Sequence, residues 1–255
     1  MTKLSDLISP HWDEVKSGNE PLQWTPLTEA EKEANRKHDE TEKRLAEIKS
    51  YSKAKSENYF YHDILTSHHW PQDTNPTGDQ KNVLRAIFDW IWSVPGTYID
   101  VITGKRIEYD LSKGWLIIGT PGSGKTSIMQ AFSEYTRLIQ KRPFTMLYCD
   151  RDSHAAFNEK KVQLPSIYYR GTRCLDELGH EKSKANVWGN SIDYLGDVLH
   201  ERHRISAITH GTTNIDINQE APENLYKTYG YRIHSRLYSL FNIIYLNGRD
   251  WRKKA

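Results

Sequence analysis

Trp115-Leu116-Ile117-Ile118-Gly119-Thr120-Pro121-Gly122-Ser123-Gly124-Lys125-Thr126 is the stretch from which the rest of this 255-residue chain is read. Its last eight residues match the phosphate-loop pattern G-x-x-x-x-G-K-[ST] in full. The apolar run before them predicts a buried strand. Ser127-Ile128-Met129-Gln130-Ala131-Phe132 after them continues as a helix. Strand, glycine-rich turn and helix together aim backbone N–H groups and a positive helix end at phosphate. The nucleotide contacts are therefore expected from Gly119, Thr120, Pro121, Gly122, Ser123, Gly124, Lys125, Thr126 and Ser127. Lys125 is suited to the β- and γ-phosphates, and the Thr126 hydroxyl to Mg²⁺.

Composition narrows the class. At 37% hydrophobic residues the chain is polar, and no run approaches the roughly 18 apolar residues of a membrane helix. Met1-Thr2-Lys3-Leu4-Ser5-Asp6 holds no apolar signal core, so a cytoplasmic location is expected. Cys149 and Cys174 are too few for a disulfide framework, which fits a reducing compartment. The 11 histidines lack metal-ligand spacing, and a net charge of +2 argues neither for nor against nucleic acid.

Periodicity supplies the organisation. Residues 1–27 carry Pro10, Pro21 and Pro26 among isolated apolar residues and predict an irregular arm. Thr28 with Glu31 is a capping box opening a charged helix to about residue 51, with Glu33–Lys37 as one i,i+4 pair. Residues 57–78 mix aromatics with turn formers and read as a boundary. This divides the chain into an N-terminal partner-docking arm, 1–76, and a catalytic domain, 77–255. Thr77 and Gln80 form a second capping box, before Val83, Leu84, Ile87, Phe88 and Ile91 at helical spacing. Residues 97–113 predict a loop or hairpin turning at Thr103-Gly104-Lys105. Further strands are expected over 144–149, 205–209 and 241–246, and helices over 192–202 and 225–240, the last interrupted near Gly230. Strands alternating with helices predict an α/β fold, a parallel sheet covered by helices on both faces.

Three more groups carry chemistry. Asp176-Glu177 lies about fifty residues beyond Lys125. A carboxylate at a strand end beside the phosphate loop can hold the Mg²⁺ shell, here Asp176 together with Thr126. A second one, Glu177, can deprotonate an attacking water, which points to hydrolysis. Thr212-Thr213-Asn214 places polar side chains at the next strand end. Arg232 and Arg236, four apart, share a helix face, where an arginine can act on a neighbouring subunit's γ-phosphate.

These elements together resemble the DnaC-type helicase loaders and IstB-type transposition ATPases, a lidless branch of the AAA+ ATPases close to the replication initiators. The resemblance spans residues 80–255. Its residues are the phosphate loop, Cys174-Leu175-Asp176-Glu177-Leu178-Gly179, Thr212-Thr213-Asn214, Tyr229-Gly230-Tyr231-Arg232-Ile233-His234-Ser235-Arg236-Leu237 and Asn247-Gly248-Arg249-Asp250-Trp251-Arg252. It implies a P-loop NTPase fold of AAA+ type without an α-helical lid. It also implies Asp176 and Glu177 as the Walker B pair, Asn214 as sensor 1, Arg236 as arginine finger, and Arg232 as a secondary contact to nucleotide or interface. ATP and Mg²⁺, self-assembly through the nucleotide interface, and a hexameric replicative helicase as partner follow from the same likeness. Single-stranded DNA is a possible further partner, with Lys182, Lys184, Arg202 and Arg204 as candidate basic contacts. A transposition helper that binds duplex DNA is the alternative within the family. A P-loop kinase is the alternative outside it, and that would need an arginine-rich lid that the sequence does not offer.

Overall fold

The computed structural model describes residues 8–10, 24–26, 28–68, 78–100, 103–159, 161, 163–180, 185–187, 190–248 and 250–252. The chain divides into two compact units, Met1–Tyr51 and Ser52–Ala255.

In the first unit, β1 (Ile8–Pro10) pairs antiparallel with β2 (Trp24–Pro26), where the sequence predicted an irregular arm. Proline is tolerated there because a two-stranded ribbon consists only of edges. The helix α1 (Glu29–Lys49) opens with the expected capping box: the Thr28 hydroxyl accepts from the Glu31 N–H, and the Glu31 carboxylate accepts from the Thr28 N–H. Its surface carries ion pairs one turn apart, among them Lys37–Glu33 at 3.6 Å.

The second unit starts at Ser52, upstream of the 76/77 boundary read from the sequence. Its first segment is α2 (Lys53–Tyr59), a π-helical turn over Phe60–Ile64, and α3 (Leu65–Ser67). α4 (Gly78–Ile91) follows, with Val83, Leu84, Ile87, Phe88 and Ile91 all buried as their spacing predicts. Thr77, half of the second capping box, lies outside the described residues. A hairpin, β3 (Thr97–Ile99) with β4 (Arg106–Glu108), leads to β5 (Gly114–Ile118) and α5 (Lys125–Ile139). Then come β6 (Thr145–Tyr148), α6 (Cys149–Asn158), β7 (Arg173–Asp176), a small hairpin of β8 (Ala185–Val187) with β9 (Asn190–Ile192), α7 (Tyr194–Arg204), β10 (Thr209–Thr213), α8 (Leu225–Leu240) and β11 (Phe241–Tyr245). Phe60 stacks on Phe132 of α5 with centroids 4.3 Å apart, and Ser56 hydrogen-bonds Tyr135 at 2.7 Å. Phe60, within the stretch read as a boundary, thus buries itself on the phosphate-loop helix.

The central sheet runs β11-β5-β10-β7-β6, every pairing parallel. It is the expected α/β architecture, a five-stranded parallel sheet with the phosphate loop at the end of β5. Helices cover both faces. Leu116 and Ile118 join a core with Val198, Leu199 and Leu237 from α7 and α8, while His210, facing the opposite way, meets the Trp90 ring of α4 at 5.0 Å. β10 begins at Thr209, where the expected strand was to end. Ile205 instead closes α7 and stays 41% exposed. The strand that forms is Thr-His-Gly-Thr-Thr, fully buried at the sheet centre, where ladder pairing on both sides outweighs its polar composition.

Candidate nucleotide site

β5, paired on both sides by β11 and β10, delivers the loop to the C-terminal end of the sheet. At Gly119 a Cβ would fall 2.0 Å from the Leu246 carbonyl oxygen, so no side chain fits. Gly122 and Gly124, at φ +77° and +98°, turn the chain into α5 through conformations that favour glycine. Thr120 donates its hydroxyl to the Gly248 carbonyl at 3.0 Å. Ser123 is fully buried and contributes backbone to the loop rather than an exposed hydroxyl.

The Lys125 ammonium folds back onto its own loop. It donates to the Gly119 and Thr120 carbonyls, both at 2.8 Å, and to Asn214 Oδ1 at 2.5 Å. Burial pushes its pKa down to about 8, against the pull of Asp176 and Glu177. A phosphate ligand needs the charged amine, so its affinity is expected to weaken as pH rises above 8, by up to about tenfold per unit. Dissociation constants measured from pH 7 to 9.5 check this, and a flat profile contradicts it.

Asp176 closes β7 with 4% of its surface exposed. Its Oδ1 accepts from the Thr126 hydroxyl at 2.9 Å and from the Thr212 hydroxyl at 2.6 Å. The Thr212 oxygen in turn accepts the Glu177 N–H at 3.0 Å. One hydroxyl on β10 therefore fixes both acidic residues. Glu177 sits at φ +60°, a left-handed conformation that costs a non-glycine residue on the order of 1–3 kcal/mol. Asn214, just beyond β10, completes the cluster, its amide nitrogen 3.3 Å from His180 Nε2.

These groups border a pocket of about 400 Å³, walled by Lys125, Thr126, Ser127, Glu177 and Asn214 on the loop and sheet side. Pro121, Gly122 and Gly124 supply backbone, and Trp251 and Arg252 enter from beyond β11. The Thr126 hydroxyl and Asp176 carboxylate suit a hard cation such as Mg²⁺, which takes one or two protein oxygens and leaves the rest to phosphate and water. Among the described residues no cluster of three or more His, Cys, Asp or Glu competes for a metal.

The loop residues, Asp176, Glu177 and Asn214 are thus brought together. Arg232 and Arg236 are not. Neither lines the pocket; Arg232 is exposed on α8, and Arg236 donates to the Arg232 carbonyl at 2.7 Å. Among the candidate DNA contacts, Arg202 is fully buried and belongs to the core. Arg204 is exposed and paired with Glu201 at 2.6 Å; Lys182 and Lys184 lie outside the described residues. Sequence reasoning missed His180, and it gave Trp251 and Arg252 no role. The latter two sit in the closing run Asn247-Gly248-Arg249-Asp250-Trp251-Arg252, the one signal that pointed to them. Among the described residues, no helix is long and apolar enough to cross a membrane.

No protein-family model and no curated protein matches the chain. Solved structures do. The DnaC helicase loader is 16% identical with a TM-score of 0.49, over 74% of this chain and 98% of that one. A putative primosome component from Streptococcus pyogenes serotype M3 is 16% identical with a TM-score of 0.46, over 72% and 96%. DnaI is 20% identical with a TM-score of 0.43, over 74% and 92%.

Proposed function

We propose that the chain is an ATP-hydrolysing AAA+ switch that assembles side by side through its nucleotide interface and loads a replicative helicase on DNA. The observation that carries the hydrolytic part is the Thr126–Asp176–Thr212–Glu177 chain of hydrogen bonds, which sets a buried carboxylate at the phosphate loop and a second, exposed one at the pocket.

In this reading Lys125 exchanges its internal acceptors for the β- and γ-phosphate oxygens. That frees Asn214, whose amide oxygen can accept from the attacking water and whose amide nitrogen can donate to the γ-phosphate. Glu177 takes the proton of that water as the new P–O bond forms and ADP leaves. Asp176 and Thr126 would hold Mg²⁺, which when bound spreads the developing charge over the phosphates. Arg236 is assigned to the γ-phosphate of a neighbouring copy. Its absence from its own chain's pocket fits that division of labour. The helicase partner rests on the motif resemblance alone.

Arg236→Ala is expected to lower ATP turnover by about 10³-fold while leaving ATP binding in place. Turnover measured beside equilibrium binding checks this. Lost binding, or undiminished turnover, removes the finger assignment. The loading half is tested by capture of purified hexameric helicase on the full chain with ATP. The wild type is expected to retain the helicase and Lys125→Ala to release it. A chain that coats duplex DNA with ATP and never holds the helicase would instead be a transposition helper.

A further inference from the structure

A nucleoside triphosphate needs more than a phosphate loop: something must meet its base and ribose. Among the described residues, the lining from outside the loop and the sheet ends is Trp251 and Arg252, carried by the segment after β11, residues 246–248 and 250–252.

Its attachment is made of several independent contacts. The Leu246 N–H donates to the Ile118 carbonyl at 2.7 Å, which carries the β5 pairing one residue past β11. The Leu246 carbonyl lies against Gly119 so closely that a Cβ there would be 2.0 Å away. The Gly248 carbonyl accepts from the Thr120 hydroxyl, and the Gly122 carbonyl accepts from the Trp251 N–H at 3.1 Å. Asp250 fills the space over Gly122, where a Cβ would meet its Oδ1 at 1.7 Å. The same oxygen takes the Arg252 Nε at 3.0 Å and fixes the guanidinium at the pocket rim. Two of the phosphate-loop glycines are therefore shaped by this segment as well as by the ligand. Arg252 and Lys125 line the same pocket, so two cations face one void. Beside them stands Trp251, half-buried, an aromatic wall at a polar pocket.

We propose that this segment is the second wall of the nucleotide site, acting in cis where other folds use a lid. Trp251 is its platform for the nucleobase–ribose end of a purine nucleoside triphosphate, and Arg252 is a cation for the phosphates. The proposal rests on the nucleotide reading above. A flat indole accepts a purine's π-face better than a pyrimidine's smaller one, and aromatic–base stacking is substantial in water-excluded sites. Because the strap bonds directly to Thr120 and Gly122, the ligand and the strap share one loop and report on each other.

The test is equilibrium binding of ATP and CTP by the full chain, read by calorimetry, together with tryptophan emission. Trp251→Ser is expected to weaken ATP at least tenfold and to flatten the preference for ATP over CTP. Trp251→Phe, which keeps an aromatic face, is expected to bind ATP within about threefold of wild type, yet to lose most of the ATP-dependent change in emission. Arg252→Ala is expected to weaken ATP about tenfold. If Trp251→Ser binds ATP within twofold of wild type, or if the emission change survives in Trp251→Phe, the platform assignment is wrong. Should Trp251→Ser not fold, the emission comparison of wild type with Trp251→Phe decides alone. Failure of the wild-type chain to bind ATP would overturn the nucleotide reading itself, a result distinct from any of these.

Discussion

Glu177→Gln is expected to cut ATP turnover by about 10²–10⁴-fold, the usual weight of a positioned general base, with ATP affinity nearly unchanged. The change is isosteric and removes only the ability to take a proton. Glu177 is exposed at the pocket, so no core packing is lost. Its backbone N–H keeps the bond to Thr212, and Asp176 keeps both hydroxyls, because neither contact uses the Glu177 side chain. Single-turnover hydrolysis beside equilibrium binding is the measurement. Asp176→Asn is the informative contrast, since it alters the carboxylate that two hydroxyls address and should impair Mg²⁺-dependent binding too. A Glu177→Gln chain that turns over at the wild-type rate would mean that the proton leaves by another route.

Arg202→Met is expected to destabilise the second unit by about 3–5 kcal/mol, the range for leaving several buried acceptors unmatched. Arg202 is fully buried on α7. It donates through Nε to the Thr209 hydroxyl at 2.9 Å, and to the carbonyls of Tyr168 at 2.9 Å and of Gly171 and Ile208 at 2.8 Å. Burial pushes its pKa down to about 10, which leaves it charged at neutral pH. Methionine replaces the stem and none of the donors. The carbonyls belong to the approach to β7 and the entry to β10, the two strands that carry Asp176 and Thr212. For a unit of this size the loss corresponds to a fall in melting temperature of roughly 10 °C. Thermal melting followed by circular dichroism checks it; a shift under 2 °C would show that the loops rearrange to satisfy their own carbonyls.

What the sequence disclosed depended on how local the signal was. The phosphate loop, α1 with its capping box and the apolar spacing of α4 were legible because each is settled within a few residues. β10 was misplaced because Ile205-Ser206-Ala207-Ile208 looks more like a strand than Thr209-His210-Gly211-Thr212-Thr213 does. Only the partners on both sides, β5 and β7, make the polar run a buried strand. Residues 57–78 read as a boundary because what Phe60 packs against, Phe132 and Tyr135, lies some seventy residues later. Arg202 looked like a surface cation because a single sequence does not show four acceptors gathering from two separate stretches, 168–171 and 208–209. In the site, the residues of the loop and Asp176-Glu177 carried their own pattern. The Thr212 link, by contrast, depends on register across the sheet, which no motif records.

Gly230, at φ +76° and ψ 172°, breaks α8 and leaves residues 231–240 as a separate rod. That rod carries Arg232 and Arg236, and at Leu240 it passes into β11 with no intervening loop. β11 then runs in register beside the whole of β5, from Phe241 opposite Gly114 to Tyr245 opposite Ile118. The break at Gly230 lies before both arginines, and no loop separates them from β11. The arginine-bearing rod is thus one covalent step, Leu240 to Phe241, from the strand paired along the whole of β5.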